Sequence, residues 1–396
     1  MITLADKAQC SGCTACANVC AHSAITMEKD TMGFFYPKVN QSKCTNCGLC
    51  EKICPFHENY NIDENFSEPK AYGFRLTDEN ILMNSQSGAA FIALSDLILN
   101  KGGVIYGASF SDSFRVIHQR ATTKAERDTF RGSKYVQSEL GTIFKQVLKD
   151  LKAKLCVCFC GTPCQIAGLK AYIPKTYKSQ LYLVDLVCHG VPAPNIWRDY
   201  LLYLKAKHHK SIKAANFRNK RKYGWSISKE TYLLDGDEEV TETGFLTLFY
   251  SKLVLRESCF KCKFSNTRRT GDITIGDFWG CEKVNTNLAN DQKGVSLILC
   301  NTPKGINLLE EVRNNSANMM FEISLDKALQ PNLIAPTSRP IKRTPFEADY
   351  TMYGFIYVFK KYGPIGWRQK TKYIINKLFH APQTLAFKIK HLTITK

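Results

Sequence analysis

The chain opens with two runs of cysteine residues, Cys10-Ser-Gly-Cys13-Thr-Ala-Cys16-Ala-Asn-Val-Cys20 and Cys44-Thr-Asn-Cys47-Gly-Leu-Cys50-Glu-Lys-Ile-Cys54-Pro55. Both have the spacing C-x2-C-x2-C-x3-C, which is typical of bacterial domains that bind two 4Fe-4S clusters. In this pattern the fourth cysteine of each run ligates the cluster that the other run holds. We therefore predict one cluster on Cys10, Cys13, Cys16 and Cys54, and a second cluster on Cys44, Cys47, Cys50 and Cys20.

Zinc sites and disulfides are the alternatives for a chain with 17 cysteines. Zinc sites use pairs of cysteines rather than two evenly spaced quartets. Residues 1–7 do not resemble a signal peptide, and no apolar run reaches the ~18 residues that span a bilayer. Since cysteines that hold clusters indicate a reducing compartment, we expect a cytoplasmic protein.

The region after the cysteine runs alternates short apolar strands with amphipathic helices, which is typical of an α/β domain with a largely parallel sheet. The predicted fold class is α+β or α/β, in which a bacterial ferredoxin-like di-cluster module precedes an α/β domain with a mixed sheet and a helical C-terminal tail. The predicted domains are a di-cluster domain at 1–66, two α/β regions at 67–150 and 151–325, and a basic tail at 326–396.

The formal charge of +19 favours acidic partners, which include a ferredoxin or another redox protein. No aromatic-interleaved nucleic-acid motif is visible, so we expect no nucleic-acid partner. The last residues, from 350 onward, contain nine Lys or Arg and no acidic residue. This tail fits either peripheral contact with an anionic membrane or a packed helical pair with a solvated basic face. Breaks at Gly363-Pro364 and Pro382 favour the second interpretation.

Four later cysteines, Cys164, Cys188, Cys259 and Cys262, lie in loop-like contexts near predicted strand ends. Because strand-end loops of a parallel sheet converge, these four are candidates for a third 4Fe-4S cluster. The alternative is a small zinc site on Cys259 and Cys262, with the other two as buried hydrophobic residues. The spacing does not decide between these interpretations. We interpret the remaining five cysteines, at 156, 158, 160, 281 and 300, as packing residues.

A one-electron carrier joined to an α/β domain suggests a flavin, which converts single electrons into hydride transfer. A flavin nucleotide needs backbone amides and small residues around its pyrophosphate. Two stretches offer them: Ser85-Gln-Ser87-Gly88-Ala89-Ala90, and Arg131-Gly132-Ser133-Lys134-Tyr135-Val-Gln137. Neither is a dinucleotide fingerprint, and Ser-Gly turns before helices are commonly plain helix caps.

The chain behind the di-cluster module carries several ordered motifs. They are Gly161-Thr-Pro-Cys-Gln-Ile-Ala-Gly-Leu169, Asp185-Leu-Val-Cys-His-Gly-Val-Pro192, Asn216-Phe-Arg218, Leu255-Arg-Glu-Ser-Cys-Phe-Lys-Cys-Lys-Phe264, Gly271-Asp-Ile-Thr-Ile-Gly-Asp-Phe-Trp-Gly280 and Lys293-Gly-Val-Ser296. Together these motifs resemble the coenzyme F420 hydrogenase/dehydrogenase beta-subunit family. The resemblance runs from about residue 70 to residue 325.

The resemblance implies an FAD-dependent iron–sulfur oxidoreductase that passes electrons between a ferredoxin-type donor and a small two-electron acceptor, which is coenzyme F420 in archaeal relatives. It implies that Cys164, Cys188, Cys259 and Cys262 ligate the third cluster. It also implies that the flavin is surrounded by Ser85, Ser87, Gly88, Ser133, Lys134, Tyr135, Gln137, Gly161 and Thr162. His189 and Asp277 are candidates for proton handling. The rival hypothesis is an electron-transfer subunit that has no substrate site and feeds a partner enzyme.

Overall fold

The computed structural model describes residues 2–4, 6–57, 60, 65–288 and 291–364, and the structural statements below concern these residues. In chain order the strands are β1 (Ile25–Lys29), β2 (Phe35–Val39), β3 (Lys70–Leu76), β4 (Val104–Phe110), β5 (Val116–Ala121), β6 (Val157–Gly161), β7 (Leu181–Leu186), β8 (Ile212–Asn216), β9 (Glu230–Leu234), β10 (Glu239–Glu242), β11 (Ile273–Asp277), β12 (Ser296–Cys300) and β13 (Asn318–Ile323).

The helices are α1 (Ala15–Val19), α2 (Leu49–Lys52), α3 (Glu79–Met83), α4 (Ala90–Asn100), α5 (Lys124–Asp128), α6 (Ile143–Lys152), α7 (Pro163–Tyr172), α8 (Pro194–His208), α9 (Lys220–Tyr223), α10 (Gly244–Tyr250), α11 (Pro303–Asn315), α12 (Leu325–Ala328), α13 (Pro331–Ile334) and α14 (Arg343–Tyr362).

A mixed sheet forms the centre of the domain, with the strand order β13-β3-β12-β11-β7-β6-β4-β5. The four strands β4, β6, β7 and β11 pair in parallel, and the strands on both sides of them pair antiparallel. This confirms the predicted mixed sheet, but the expectation of a largely parallel sheet holds only at its centre. Short connections, such as the turn between β4 and β5, produce antiparallel pairs because parallel neighbours need a crossover.

The parallel strands decide where a site can form. Since β6, β7 and β11 run in the same direction, their carboxyl ends, Gly161, Leu186 and Asp277, lie at the same edge of the sheet. Ligands of α/β proteins bind at this edge. Helix α7 begins directly after β6, with Pro163 at its start and the Thr162 N–H donating to Gln165 Oε1 at 2.9 Å.

A second, antiparallel sheet of β8, β9 and β10 lies beside an aromatic core. Trp197 and Tyr200 of α8 pack there against Phe245 of α10 and Phe359 of α14. Helix α14 is interrupted at Gly354, which has a φ of +76°. Phe355, Val358 and Phe359 of α14 are buried, whereas Met352, Tyr353, Ile356 and Tyr357 are exposed. The predicted basic tail beyond residue 364 lies outside the described residues. No helix among those described is both long and apolar enough to cross a membrane.

The N-terminal module shares cores with the α/β domain. The hairpin of β1 and β2 turns through Met32 and Phe34, which are buried in the aromatic core that contains Trp197. On its other side, Cys13 packs so closely against α7 that a Cβ on Gly168 would lie 2.9 Å from the Cys13 Sγ. The module is therefore fixed against the helix that carries Cys164.

Gly88 provides a test of how closely the loop before α4 packs against strand β3. A Cβ at this position would lie 1.9 Å from the Phe74 carbonyl oxygen of β3, so Gly88→Ala must push two backbones apart. We expect Gly88→Ala to lower the free energy of unfolding by about 3 kcal/mol, measured by urea denaturation. The control is Gly102→Ala, where a Cβ meets open space and the positive φ alone costs about 1 kcal/mol. Equal losses for the two variants would contradict this account.

Candidate metal centre and cofactor cavity

The eight N-terminal cysteines form two groups in space. Cys20, Cys44, Cys47 and Cys50 line one cavity of about 140 Å³. These are the four residues that the spacing assigns to one cluster, with Cys20 contributed by the other run. The side chains are therefore grouped as an exchanged pair of clusters requires, and their role as ligands stays a prediction.

The second group consists of Cys10, Cys13, Cys16 and Cys54. Burial raises the pKa of the Cys16 thiol to about 12, and the neighbouring Cys10 and Cys54 raise it further. Burial also raises the pKa of Cys13, to which Cys16, Cys10 and Cys54 are likewise close. Four thiols that interact in this way can share one cluster, which would hold them as thiolates.

A third group of cysteines converges from three separate segments. Cys164 is the second residue of α7, and Cys188 lies two residues after β7. Cys259 and Cys262 belong to a 3₁₀ turn, Glu257–Lys261, and the residue after it. All four line one small cavity. Burial raises the pKa of Cys188, and its three neighbours in this group add to the effect.

The four cysteines of the third group are not arranged to bind a single metal ion. Within the part of the chain that the structure describes, no three His, Cys, Asp or Glu side chains come close enough to hold one ion. A cubane cluster holds its thiolates further apart, because iron and sulfide atoms lie between them. Four cysteines spread around a cavity therefore fit the cluster better than the small zinc site on Cys259 and Cys262.

A buried ion pair fixes the segments that carry these cysteines. Asp185 at the end of β7 accepts hydrogen bonds from Arg269 Nη2 at 2.8 Å and from the Gly271 N–H at 2.8 Å. Arg269 also donates to the carbonyl oxygens of Leu186 at 2.9 Å and Phe264 at 2.6 Å. The strand that leads to Cys188 is thereby tied to the loop that follows Cys262.

A larger cavity of about 580 Å³ lies at the carboxyl edge of the sheet. Its walls come from the loop before α4, the segment before α6, and the ends of β6, β7 and β11. The predicted flavin or proton-handling residues that line it are Ser85, Ser87, Ser133, Lys134, Tyr135, Gly161, Thr162, His189 and Asp277. The structure thus brings these nine predicted residues together.

Two predicted flavin residues lie elsewhere. Gly88 is packed against Phe74, and its N–H donates to Ser296 Oγ at 2.9 Å. Gln137 lies at the junction with the N-terminal module, where its Nε2 donates to the Ser11 carbonyl oxygen at 2.7 Å. Neither residue lines the large cavity, so the structure does not bring these two together with the other predicted flavin residues, and their role stays a prediction.

The two cavities share a wall. Residues 188–191 and Asn332 line both the large cavity and the small cavity of Cys164, Cys188, Cys259 and Cys262. The wall contains the loop directly after β7, so its position follows from the strand. A cluster in the small cavity would therefore be a close neighbour of any ligand in the large one.

His189 lies within the shared wall. Its Nδ1 is 3.4 Å from Asn332 Oδ1, and its Nε2 is buried with no hydrogen-bond partner among the described residues. Burial lowers the pKa of His189, which favours the neutral ring. Because the Asn332 oxygen can only accept, the Nδ1 carries the proton, and Nε2 is left as an acceptor for a ligand.

Asp277 is surrounded by donors. Its carboxylate accepts hydrogen bonds from Arg218 Nη1 at 2.6 Å, from Trp225 Nε1 at 2.7 Å and from the Ser87 hydroxyl. Because three donors hold its carboxylate, Asp277 links Ser87, Arg218 and Trp225 in the wall of the cavity. A role for Asp277 in moving protons stays a prediction.

Lys134 is a cation at the large cavity whose charge changes near neutral pH. Burial lowers the pKa of its ammonium to about 7. The Nζ donates to the carbonyl oxygens of Thr129 at 2.9 Å and Arg131 at 2.7 Å, so a third N–H remains for another acceptor.

Three further residues of the cavity had no role predicted from the sequence. Arg218 and Trp279 stood in the quoted motifs, and the Arg218 guanidinium lies 5.4 Å from the centre of the Trp279 ring. Trp279 is 45% exposed and stacks on Trp225. His118 had no sequence signal because it lies on the unpredicted strand β5. Its Nε2 lies 3.1 Å from the Cys160 carbonyl oxygen, and its buried Nδ1 has no partner among the described residues.

Asp185→Asn tests whether the ion pair with Arg269 holds the cysteine-bearing segments together. The substitution leaves Arg269 buried without its counter-charge, so we expect the free energy of unfolding to fall by about 3–5 kcal/mol, measured by anaerobic urea denaturation. The control is Asp150→Asn, whose partner Arg120 reaches solvent, and we expect a smaller loss there. A loss for Asp185→Asn no larger than for the control would show that the pair does not fix these loops.

Two parts of the chain match known protein families. Residues 155–324 match the family described as the C terminus of the coenzyme F420 hydrogenase/dehydrogenase beta subunit, and residues 9–57 match the 4Fe-4S dicluster domain. No curated protein matches the chain. A chain in the xenon-derivatised F420-reducing NiFe hydrogenase complex from Methanosarcina barkeri is similar at 16% identity and a TM-score of 0.46, over 72% of this chain and 93% of that one. The protein therefore joins an N-terminal 4Fe-4S dicluster domain to the C-terminal domain of the coenzyme F420 hydrogenase/dehydrogenase beta-subunit family.

Proposed function

We propose that this protein is an FAD-dependent iron–sulfur oxidoreductase that passes electrons between a ferredoxin-type donor and a small two-electron acceptor. The observation that carries the proposal is the wall of residues 188–191, which lines both the four-cysteine cavity and the large cavity. A one-electron carrier and a hydride carrier must lie side by side for electrons to pass between them. The wall provides that proximity.

The residues present fit both kinds of cofactor. Three groups of four cysteines offer the ligands that 4Fe-4S clusters use. The cavity of about 580 Å³ lies in the usual size range of cofactor pockets. When bound, the clusters would carry single electrons and the flavin would exchange an electron pair with the acceptor.

A basic cleft next to the large cavity supports a dinucleotide. This cleft has a volume of about 260 Å³ and shares Ser85, Ser133 and Lys134 with the large cavity. The cations that line it are Arg131, Lys134, Arg218, Lys220 and Arg221. Such a cleft suits the pyrophosphate of FAD or an anionic part of the acceptor.

The side chains around the large cavity suit the binding of a flat ring system. His118 Nδ1 and His189 Nε2 are buried acceptors without partners among the described residues, so each can receive an N–H from a ligand. Tyr135 stacks on Phe249 at 4.6 Å, which fixes one aromatic wall. We propose that these residues orient the flavin and that His189 stays neutral while it does so.

Electrons would enter at the outer end of the N-terminal module. Cys47 and Leu49 are exposed beside the cavity of Cys20, Cys44, Cys47 and Cys50. Cys13 of the other group packs on α7, which carries Cys164. The order of the sites from the surface inward is therefore the Cys44 group, the Cys10 group, the Cys164 group and the large cavity. A redox protein that docks at the Cys47 surface would reach this series at its first member.

The acceptor is either coenzyme F420, after which the matching family is described, or another small molecule that takes an electron pair. Trp279 offers an exposed ring at the large cavity against which a planar acceptor can stack. The second candidate function is an electron-transfer subunit without a substrate site. This second function is favoured because the family that matches residues 155–324 is a beta subunit of a hydrogenase or dehydrogenase. Flavin reduction without turnover of any small acceptor would support it.

The first test is the content of iron, acid-labile sulfide and flavin in anaerobically purified protein. We expect about twelve iron atoms and one FAD per chain. Cys259→Ser should remove about four iron atoms, because it takes one ligand from the third group. Cys281→Ala is the matched control, since Cys281 is a buried cysteine outside the three groups. About eight iron atoms and no flavin in the unmodified protein would contradict both the third cluster and the flavoenzyme.

The pKa of Lys134, which is about 7, predicts how flavin binding depends on pH. Lys134 is a cation below this pH and neutral above it, and an anionic ligand favours the cation. FAD affinity should therefore be constant below about pH 7 and fall as the pH rises above it. Titrations of the flavin-free protein between pH 6 and pH 9 measure this, at roughly tenfold loss per pH unit in the steep range.

Lys134→Gln should bind FAD more weakly and lose most of this pH dependence. The control is Lys101→Gln, an exposed lysine paired with Glu311 on another face, and it should keep the full dependence. A Lys134→Gln protein with an unchanged pH profile would show that Lys134 does not meet the anionic part of the flavin.

A further inference from the structure

Arg256 is a fully buried arginine at the junction between the N-terminal module and the α/β domain. It directly precedes the 3₁₀ turn Glu257–Lys261, and its carbonyl oxygen accepts from the Cys259 N–H at 3.0 Å. Its side chain also lines the cavity of Cys164, Cys188, Cys259 and Cys262. The residue is thus part of the third cysteine group's surroundings.

The same guanidinium reaches the first cysteine run. Its Nε donates to the Cys10 carbonyl oxygen at 2.8 Å, and its Nη2 donates to the Phe35 carbonyl oxygen at 2.8 Å. The Nη2 also lies 3.7 Å from the Cys10 Sγ, and the guanidinium stacks 4.2 Å above the Tyr36 ring. Arg256 therefore borders two cysteine groups that lie in different parts of the sequence.

No carboxylate balances the charge of Arg256 among the described residues. Its oxygen partners are the two carbonyl groups of the module and Gln137 Oε1, which accepts from Nη1 at 2.9 Å. A buried charge without a counter-charge is strongly unfavourable. The anions that remain on its two sides are the thiolate-ligated clusters, since four thiolates on a 4Fe-4S core carry about two negative charges.

We propose that Arg256 is the shared counter-cation of the clusters on Cys10 and on Cys164, and that it sets their potentials for electron exchange. This inference rests on the proposed function, because it needs both clusters. Exchange moves one electron: the cluster that loses it is oxidised, the other is reduced, and no bond or proton changes. The cation stabilises the reduced, more negative state of each cluster, so its removal makes reduction harder.

Arg256 lines the small cavity together with Cys164 and Cys259, and it contacts Cys10 directly. The distant Cys20, Cys44, Cys47 and Cys50 group has its own cavity, to which Arg256 does not contribute. Arg256 should therefore affect the inner clusters and leave the outer one almost unchanged.

The test is an EPR-monitored redox titration of the full-length, cluster-loaded protein and its Arg256→Gln variant. We expect the equilibrium constant for reduction of the cluster on Cys10 to fall about tenfold, which is 59 mV for a one-electron couple. The cluster on Cys44 should keep its potential. Arg256→Lys keeps the positive charge and should shift the potential less than Arg256→Gln.

Arg343→Gln is the matched control. Arg343 is buried near the same turn and pairs with Glu347 and Glu257, and its partners among the described residues include no cysteine of either group. Its variant should leave all the potentials unchanged, which separates the charge of Arg256 from a general loosening of this region.

An Arg256→Gln protein with full iron content and unchanged potentials would overturn the inference. If the unmodified protein lacks the third cluster, the iron content shows this first, and the proposed function fails instead. Should Arg256→Gln not accumulate as folded protein, hyperfine coupling decides. Nitrogen-15 arginine in the unmodified protein should couple to the reduced cluster, and Arg256→Lys should abolish the coupling; no coupling would equally overturn the role.

Discussion

The buried contact between Asp185 and Arg269 is the constraint on which the cysteine site depends. Asp185 ends a central strand, and Arg269 belongs to the loop after Cys262, so the contact joins two segments separated by 84 residues. The carboxylate also accepts from the Thr270 and Gly271 N–H groups, which leaves it no freedom to turn. The segments that carry Cys188 and Cys262 are therefore held around one cavity.

The sheet supplies the other half of the arrangement. Parallel strands end at one edge, and the loop after β7 is short, so Cys188 must lie beside the ends of β6 and β11. The large cavity forms in the crevice above these ends, and residues 188–191 become its wall as well as that of the four-cysteine cavity. The proximity of the two sites follows from strand direction and needs no motion of a domain.

The parts of this arrangement that depend on local sequence were predictable. The C-x2-C-x2-C-x3-C spacing predicted both N-terminal groups, because short loops between ligands permit few geometries. The β–α alternation predicted the parallel centre of the sheet, and the family resemblance pointed to seven of the residues that line the large cavity. The sequence predicted a mixed sheet but not which strands pair antiparallel, and His118 was missed because it lies on the unpredicted strand β5.

Gly88 and Gln137 show what a local pattern leaves open. A Ser-Gly turn before a helix suits a phosphate, but it equally suits a strand that passes close by. At Gly88 the deciding neighbour is the Phe74 carbonyl, and at Gln137 it is Ser11 of the N-terminal module. These contacts depend on how distant segments pack, which the sequence around either residue does not encode.

The positions of the charged side chains also depend on how distant segments pack. A net charge of +19 predicts acidic partners but gives no position for the cations. The structure places the buried Arg256 between two cysteine groups, and it places the buried Arg218 and the half-buried Lys134 at the large cavity. Arg218 is balanced by Asp277, whereas the oxygen partners found for Arg256 and Lys134 are neutral carbonyl or amide groups. Because burying a cation without an anion is costly, these two residues are best explained by the anionic groups that the neighbouring cavities would hold.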